Sequence, residues 1–261
     1  MIAAPPRPER PAVLVTGAAR RIGAAIARCF ADAGWHVVIH ARRPDIDAQA
    51  LADELPSAEV MMADLADIDA APALVQRLAA RLPDWRVLVN NAARFGPAPN
   101  AADAMGTFRL NALAPWTLAD AFLRLPPLAG GRRVIHLTDQ KVAHPNPDFP
   151  HYTMAKHALA GAVAGQQMAQ DQAGRAQDRI FALAPGAILA SLDQSEAEAD
   201  RTHRLNLLRR RVSLPDMADA ALFLATGPLV GGQTLFVDCG QHLLRQPRDV
   251  IFLGQDRQAD I

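Results

Sequence analysis

Along all 261 residues, short apolar runs alternate with longer segments of helical period, and few folds accommodate that pattern. The runs at 12–16, 36–40, 59–62, 86–90, 133–138, 179–183 and 234–237 read as strands. Between them, segments 21–33, 47–54, 71–82, 102–123, 151–170 and 215–225 are Ala- and Leu-rich with amphipathic spacing, and read as helices. A strand that returns to one sheet through a helix lies parallel to its predecessor. Sustained alternation therefore predicts an α/β fold: a doubly wound, Rossmann-type, mostly parallel seven-stranded sheet with helices on both faces. Half of the residues are hydrophobic, enough for one large core. The expected layout is a flexible, Pro-rich arm over residues 1–10 and a single domain over 11–261. Residues 187–212 form a long insertion before the last crossover, read either as a substrate-side lid or as a surface excursion of helices.

Positive and negative side chains balance at 27 each, so nothing draws this chain electrostatically to nucleic acid or an anionic membrane. Cys29 and Cys239 have neither metal-ligand spacing nor a disulfide framework. The opening residues lack the apolar stretch of a signal peptide. These features predict a cytoplasmic protein with a small-molecule substrate and no metal. Basic positions are almost all arginine: Lys141 and Lys156 are the only lysines, and Lys156 stands four residues after the only tyrosine, Tyr152.

The chemistry concentrates at strand ends. After the first strand comes Thr16-Gly17-Ala18-Ala19-Arg20-Arg21-Ile22-Gly23, where Gly17 and Gly23 allow a tight turn into a helix whose N-terminus can face a pyrophosphate. Without a G-x-G-x-x-G pattern, an ordinary strand–helix turn is the alternative. The second strand ends in His40-Ala41-Arg42-Arg43. A free ribose hydroxyl calls for a carboxylate there and a 2′-phosphate for guanidinium, so the two arginines point to NADPH rather than to a solvated pair. Pro44-Asp45 reads as the start of the next helix. Asp64-Leu65 and Asn90-Asn91-Ala92-Ala93 follow the third and fourth strands, Asn111 lies inside a helix, and Asp139, Tyr152 and Lys156 follow the fifth strand.

Taken in order, these motifs resemble the short-chain dehydrogenases/reductases over about 11–242, with Pro185-Gly186 and Gly232-Gln233-Thr234 completing the set. Two departures narrow the likeness. Arg21 stands where the family turn has its middle glycine, and Asp139 stands where the catalytic serine precedes the tyrosine. Both are features of the pteridine reductases, including the dihydromonapterin and alternative dihydrofolate reductases. That resemblance implies NADPH-dependent reduction of a dihydropterin or dihydrofolate, with Tyr152 as proton donor and Lys156 lowering its pKa and holding the nicotinamide ribose. It implies a water held by Asn111, Asp139 at the pterin edge or partnering Tyr152, Phe95 against the pterin face, and Arg21 reaching pyrophosphate and pterin. The cofactor set is then Gly17, Arg20, Arg21, Ile22, Gly23, His40, Arg42, Arg43, Asp64, Leu65, Asn91, Ala92, Lys156, Pro185 and Gly186. Asp139 as a loop cap and Phe95 as core packing are the plainer alternatives. A carbonyl or 3-oxoacyl reductase and a non-enzymatic NADPH-binding regulator also remain open. The helices at 102–123 and 151–170 carry apolar residues on more than one face, and the resemblance implies that they pair in a homotetramer. The tail at 241–248 is expected near a neighbouring subunit.

Overall fold

The structure, a computed structural model, describes residues 10–192 and 194–253, so the expected arm lies outside the described residues except for Arg10. Strands β1 (Ala12–Val15), β2 (His36–Ala41), β3 (Ala58–Met62), β4 (Trp85–Asn90), β5 (Arg133–Leu137), β6 (Arg179–Pro185) and β7 (Thr234–Val237) make one sheet. Their order is β3-β2-β1-β4-β5-β6-β7, and every pair is parallel. Strand order reverses between β1 and β4, which opens a crevice at their carboxyl ends.

Side chains alternate across the sheet as its period of two demands. Val13, Val15, Val37 and Ile39 pack on one face with Ile26 and Phe30 of α1 (Arg21–Asp32) and Met217 and Leu224 of α8 (Leu214–Thr226). Leu14, Val38, Leu88 and Val134 face the other layer, against Leu74 and Leu78 of α3 (Ala71–Ala79) and Leu118 and Phe122 of α5 (Ala114–Leu123). Each fully buried aliphatic side chain of this kind contributes about 1.5–3 kcal/mol of transfer free energy. Two-sided burial is why the strands read as near-continuous apolar runs. The remaining α-helices among the described residues are α2 (Ile46–Glu54), α4 (Ala101–Phe108), α6 (Pro150–Gln172) and α7 (Glu196–Thr202). As expected, Asp45 starts α2, its carboxylate accepting the Asp47 and Ala48 N–H groups.

One difference from the sequence reading bears on the site. The expected helix at 102–123 is interrupted by a π-helical turn, Arg109–Leu113, between α4 and α5. Pro115 has no N–H to give the Asn111 carbonyl, and π turns of this sort gather at functional sites. Within segment 187–212, α7 begins with a capping box in which Ser195 and Glu198 cap each other's backbone N–H. Among the described residues no helix is long and apolar enough to cross a membrane.

Candidate active site

The crevice beyond β1 and β4 opens into a cavity of about 370 Å³ lined by the glycine turn, His40, Arg42, Asp64, Leu65, Asn91 and Ala92. Gly17 has φ +60°, and a Cβ there would stand 3.0 Å from the Ala92 Cα. A Cβ at Gly23 would stand 2.6 Å from the Gly17 carbonyl oxygen, so only glycine lets α1 begin this close to the turn. Arg21 keeps a left-handed backbone, φ +56°, at the position of the family's middle glycine. That conformation costs a non-glycine residue about 1–3 kcal/mol. Its guanidinium reaches across the crevice and donates from both terminal nitrogens to the Ala190 carbonyl at 3.4 Å.

Backbone braces hold the turn. The Thr16 hydroxyl oxygen accepts the Asn91 and Ala92 N–H groups, each at 2.9 Å, and the Asn91 amide donates to the Thr16 and Gly17 carbonyls. His40 Nδ1 accepts the Gly17 N–H at 3.1 Å while Nε2 donates to the Ala63 carbonyl at 2.9 Å. Both ring nitrogens are thus spent on backbone, and burial pushes the imidazole pKa down, which keeps it neutral. His40 lines the cavity as a prop for the turn. Arg20 is paired with Asp45 and Asp47 at the start of α2. Arg42 lines the cavity directly, whereas Arg43 follows it as an exposed side chain outside the lining.

Arg21, Ile22 and Ala93 are shared with a second cavity of about 400 Å³, which contains Phe95, Asp139, Tyr152, Pro185 and Gly186. Tyr152 projects from the first turn of α6, and its hydroxyl donates to Asp139 Oδ2 at 3.0 Å. Asp139 Oδ1 accepts the Lys141 N–H at 2.8 Å, so this residue caps its loop and partners the tyrosine at once. Burial, foremost, raises the Asp139 pKa; burial together with the Asp139 charge raises that of Tyr152 well above its ordinary value. Lys156, also on α6, donates to the Leu137 carbonyl at 2.7 Å, with its ammonium 5.7 Å from the Tyr152 ring centroid. Burial brings its pKa down to about 8. The direction is opposite to the one expected from Lys156: burial and the adjacent carboxylate set the Tyr152 shift. Phe95 packs edge-on to Tyr152 at 4.9 Å and against Phe149 at 4.6 Å.

Asn111 is fully buried in the π turn. Its side chain accepts the Arg94 N–H and donates to the Arg94 carbonyl, both at 2.8 Å, and so pins the segment that carries Phe95. Segment 187–212 contributes Ala187, Ile188, Leu189, Ser191, Leu192 and His203 to the second cavity. The sequence reading missed Lys141, Asp249, Val250 and Ile251, which also line it. The scarcity of lysine was the one signal for Lys141. The tail carries no local pattern, and it packs within its own chain, where Arg248 pairs with Asp148. Among the described residues no group of His, Cys, Asp or Glu is arranged to hold a metal.

A family model described as enoyl-(acyl carrier protein) reductase matches residues 17–242. The granaticin polyketide synthase putative ketoacyl reductase 2 of Streptomyces violaceoruber is 29% identical over 248 residues, covering 91% of this chain and 98% of that one. Pteridine reductase 1 of Leishmania tarentolae is 28% identical over 290 residues, with the same coverage. The crystal structure of the FolM alternative dihydrofolate reductase 1 of Brucella suis in complex with NADP superposes with a TM-score of 0.81 at 32% identity, covering 90% of this chain and 96% of that one.

Proposed function

Since the chain belongs to the short-chain dehydrogenase/reductase family and is an NADPH-dependent oxidoreductase, we propose that its substrate is a pteridine, a dihydropterin such as dihydromonapterin or else dihydrofolate, which it reduces to the tetrahydro form. The observation that carries this reading is the bond from Tyr152 to Asp139. A serine hydroxyl at that position suits a ketone oxygen, whereas a carboxyl group suits the N–H and amino edge of a heterocycle. Arg21 in place of the middle glycine and the likeness to the FolM and pteridine reductases support it.

The first cavity suits the dinucleotide. Gly17 and Gly23 leave bare backbone at the N-terminus of α1 for the pyrophosphate, and Arg42 in the lining, with the exposed Arg43 beside it, would offer guanidinium to the 2′-phosphate. Asp64, Leu65, Asn91 and Ala92 would flank the adenosine and the bridge, and Lys156, Pro185 and Gly186 the nicotinamide end. When bound, NADPH supplies the hydride. Tyr152 gives the substrate nitrogen its proton, which it holds firmly beforehand because burial and Asp139 keep the phenol from ionising. The buried Lys156 ammonium then stabilises the phenolate left behind. Asp139 orients the tyrosine and the substrate edge, Phe95 covers one ring face, and Asn111 holds the Arg94 peptide that positions Phe95.

Carbonyl or 3-oxoacyl reduction is the second reading, favoured by the likeness to a ketoacyl reductase. A pure NADPH sensor would have no use for the Tyr152–Asp139 donor. NADPH oxidation recorded with dihydrobiopterin, dihydromonapterin and dihydrofolate beside a ketone and 3-oxoacyl panel decides the matter, and turnover of the ketones alone would overturn the pteridine reading. We also infer one domain over 11–261 and a homotetramer, the latter from exposed Met105, Trp116 and Met154 on α4, α5 and α6. A monomer in light scattering at micromolar concentration would refute the assembly.

A further inference from the structure

Lys141 is the one lysine the proposed chemistry does not use, in a chain whose other basic positions beyond Lys156 are arginine. It is 3% exposed, and its ammonium meets Asp249 Oδ2 at 2.6 Å and the Asp148 carbonyl at 3.2 Å. The corner is closed, and a guanidinium with five donors in a planar fork would find too few acceptors there, whereas a compact ammonium is satisfied. The other oxygen of Asp249 accepts the Ile251 N–H at 3.1 Å, and the Asp249 N–H donates to Asp148 Oδ2 at 2.7 Å. Arg248 grips the same Asp148 carboxylate at 2.9 Å, and Phe252 stacks on Phe149, which touches Phe95. Residues 248–252 are thereby fastened to the loop between β5 and α6, about a hundred residues earlier in the chain. The fastening has a chemical consequence, because Asp249, Val250 and Ile251 wall the cavity that also contains Asp139 and Tyr152.

We propose that Lys141 and Asp249 are substrate-positioning residues, whose buried ion pair pins residues 248–252 as one wall of the substrate cavity. This deepens the proposed function and rests on its placement of substrate beside Tyr152, although the wall acts on whichever ring is reduced. Removing one partner would leave a buried charge alone, so the informative variant is the double replacement Lys141→Met with Asp249→Leu, which removes both charges and keeps the branching of the Asp249 side chain. NADPH binding, read by fluorescence titration, should stay within about twofold, because the first cavity is untouched. With dihydrobiopterin as the probe, KM should rise about tenfold while kcat changes less than about threefold, the signature of lost substrate binding rather than lost chemistry. Val250→Ala, which leaves the ion pair intact and trims the wall, should raise KM in the same direction and decides the matter if the double variant does not fold. An unchanged KM in either folded variant would overturn the proposal. If the native enzyme reduces ketones and no dihydropterin, the pteridine reading fails and the same KM comparison on the best ketone still tests the wall; turnover of neither class overturns both.

Discussion

Tyr152 donates its hydroxyl to Asp139 Oδ2 at 3.0 Å, while the Lys156 ammonium turns to the Leu137 carbonyl at 2.7 Å. The carboxylate, rather than the ammonium, is the tyrosine's immediate partner, and it holds the phenolic proton in place.

Because Tyr152 is the only tyrosine, its ionisation can be followed by ultraviolet absorbance without labelling. With its pKa raised well above 10.0, the free native protein should develop no tyrosinate signal below about pH 10. A signal appearing lower would show that burial and Asp139 do not set the ionisation of Tyr152. Tyr152→Phe should cut turnover about 10²–10⁴-fold and leave NADPH affinity unchanged.

Asp139→Ser restores the usual superfamily residue. Dihydropterin turnover should fall about 10²-fold, as for loss of one positioned acid–base group. Undiminished turnover would reduce Asp139 to its other task, capping the loop through the Lys141 N–H.

Asp139 also predicts a pH dependence of stability. Burial raises its folded pKa above 3.8, so between that value and the raised one the folded state binds more protons than the unfolded state, and stability falls as pH rises through that window. Asp139→Asn cannot ionise and escapes the loss. The melting temperature of the variant minus that of the native chain should therefore grow as pH rises above about 4. A pH-independent difference would show that burial does not perturb the carboxyl group.

Arg21→Gly removes a left-handed arginine and should stabilise the fold by about 1 kcal/mol, raising Tm by about 2–4 °C. The same change severs the bridge to the Ala190 carbonyl, so dihydropterin KM should rise as Tm rises. A loss of stability would mean that the bridge outweighs the backbone strain.

Replacing Arg42 and Arg43 with Ala should raise the NADPH KM strongly and leave NADH almost unaffected, since only the 2′-phosphate distinguishes the two. Equal use of both cofactors by the native enzyme would refute the selectivity.

What the sequence revealed follows the reach of each signal. The alternation that makes seven strands, the Gly17–Gly23 turn and the Tyr152–Lys156 spacing are local, written within a few residues. The register of Asp139 against Tyr152 was legible only through the family resemblance, which places a side chain thirteen residues before the tyrosine. The interrupted helix was missed although Pro115 was in view, because the helical period continued through it. The roles of His40 and Asn111 depend on backbone atoms of Gly17, Ala63 and Arg94, which leave no mark on side-chain pattern. The tail wall joins Asp148 to Arg248, and an irregular segment has no periodicity from which such a pairing could be read.

The central position of β1 governs when the cofactor cleft can exist. Synthesis makes this strand first, yet its neighbour β4 and the Asn91 amide that braces Thr16 come 75 residues later. Until then the glycine turn has neither the Ala92 backbone against it nor the Asn91 bonds that fix its carbonyls. Parallel pairing over such separations is slow, because the intervening chain must be ordered before any contact offsets the cost. A nascent chain halted before β4 thus holds the phosphate-binding motif in sequence but not in shape, and the cleft can form only once β4 has joined β1.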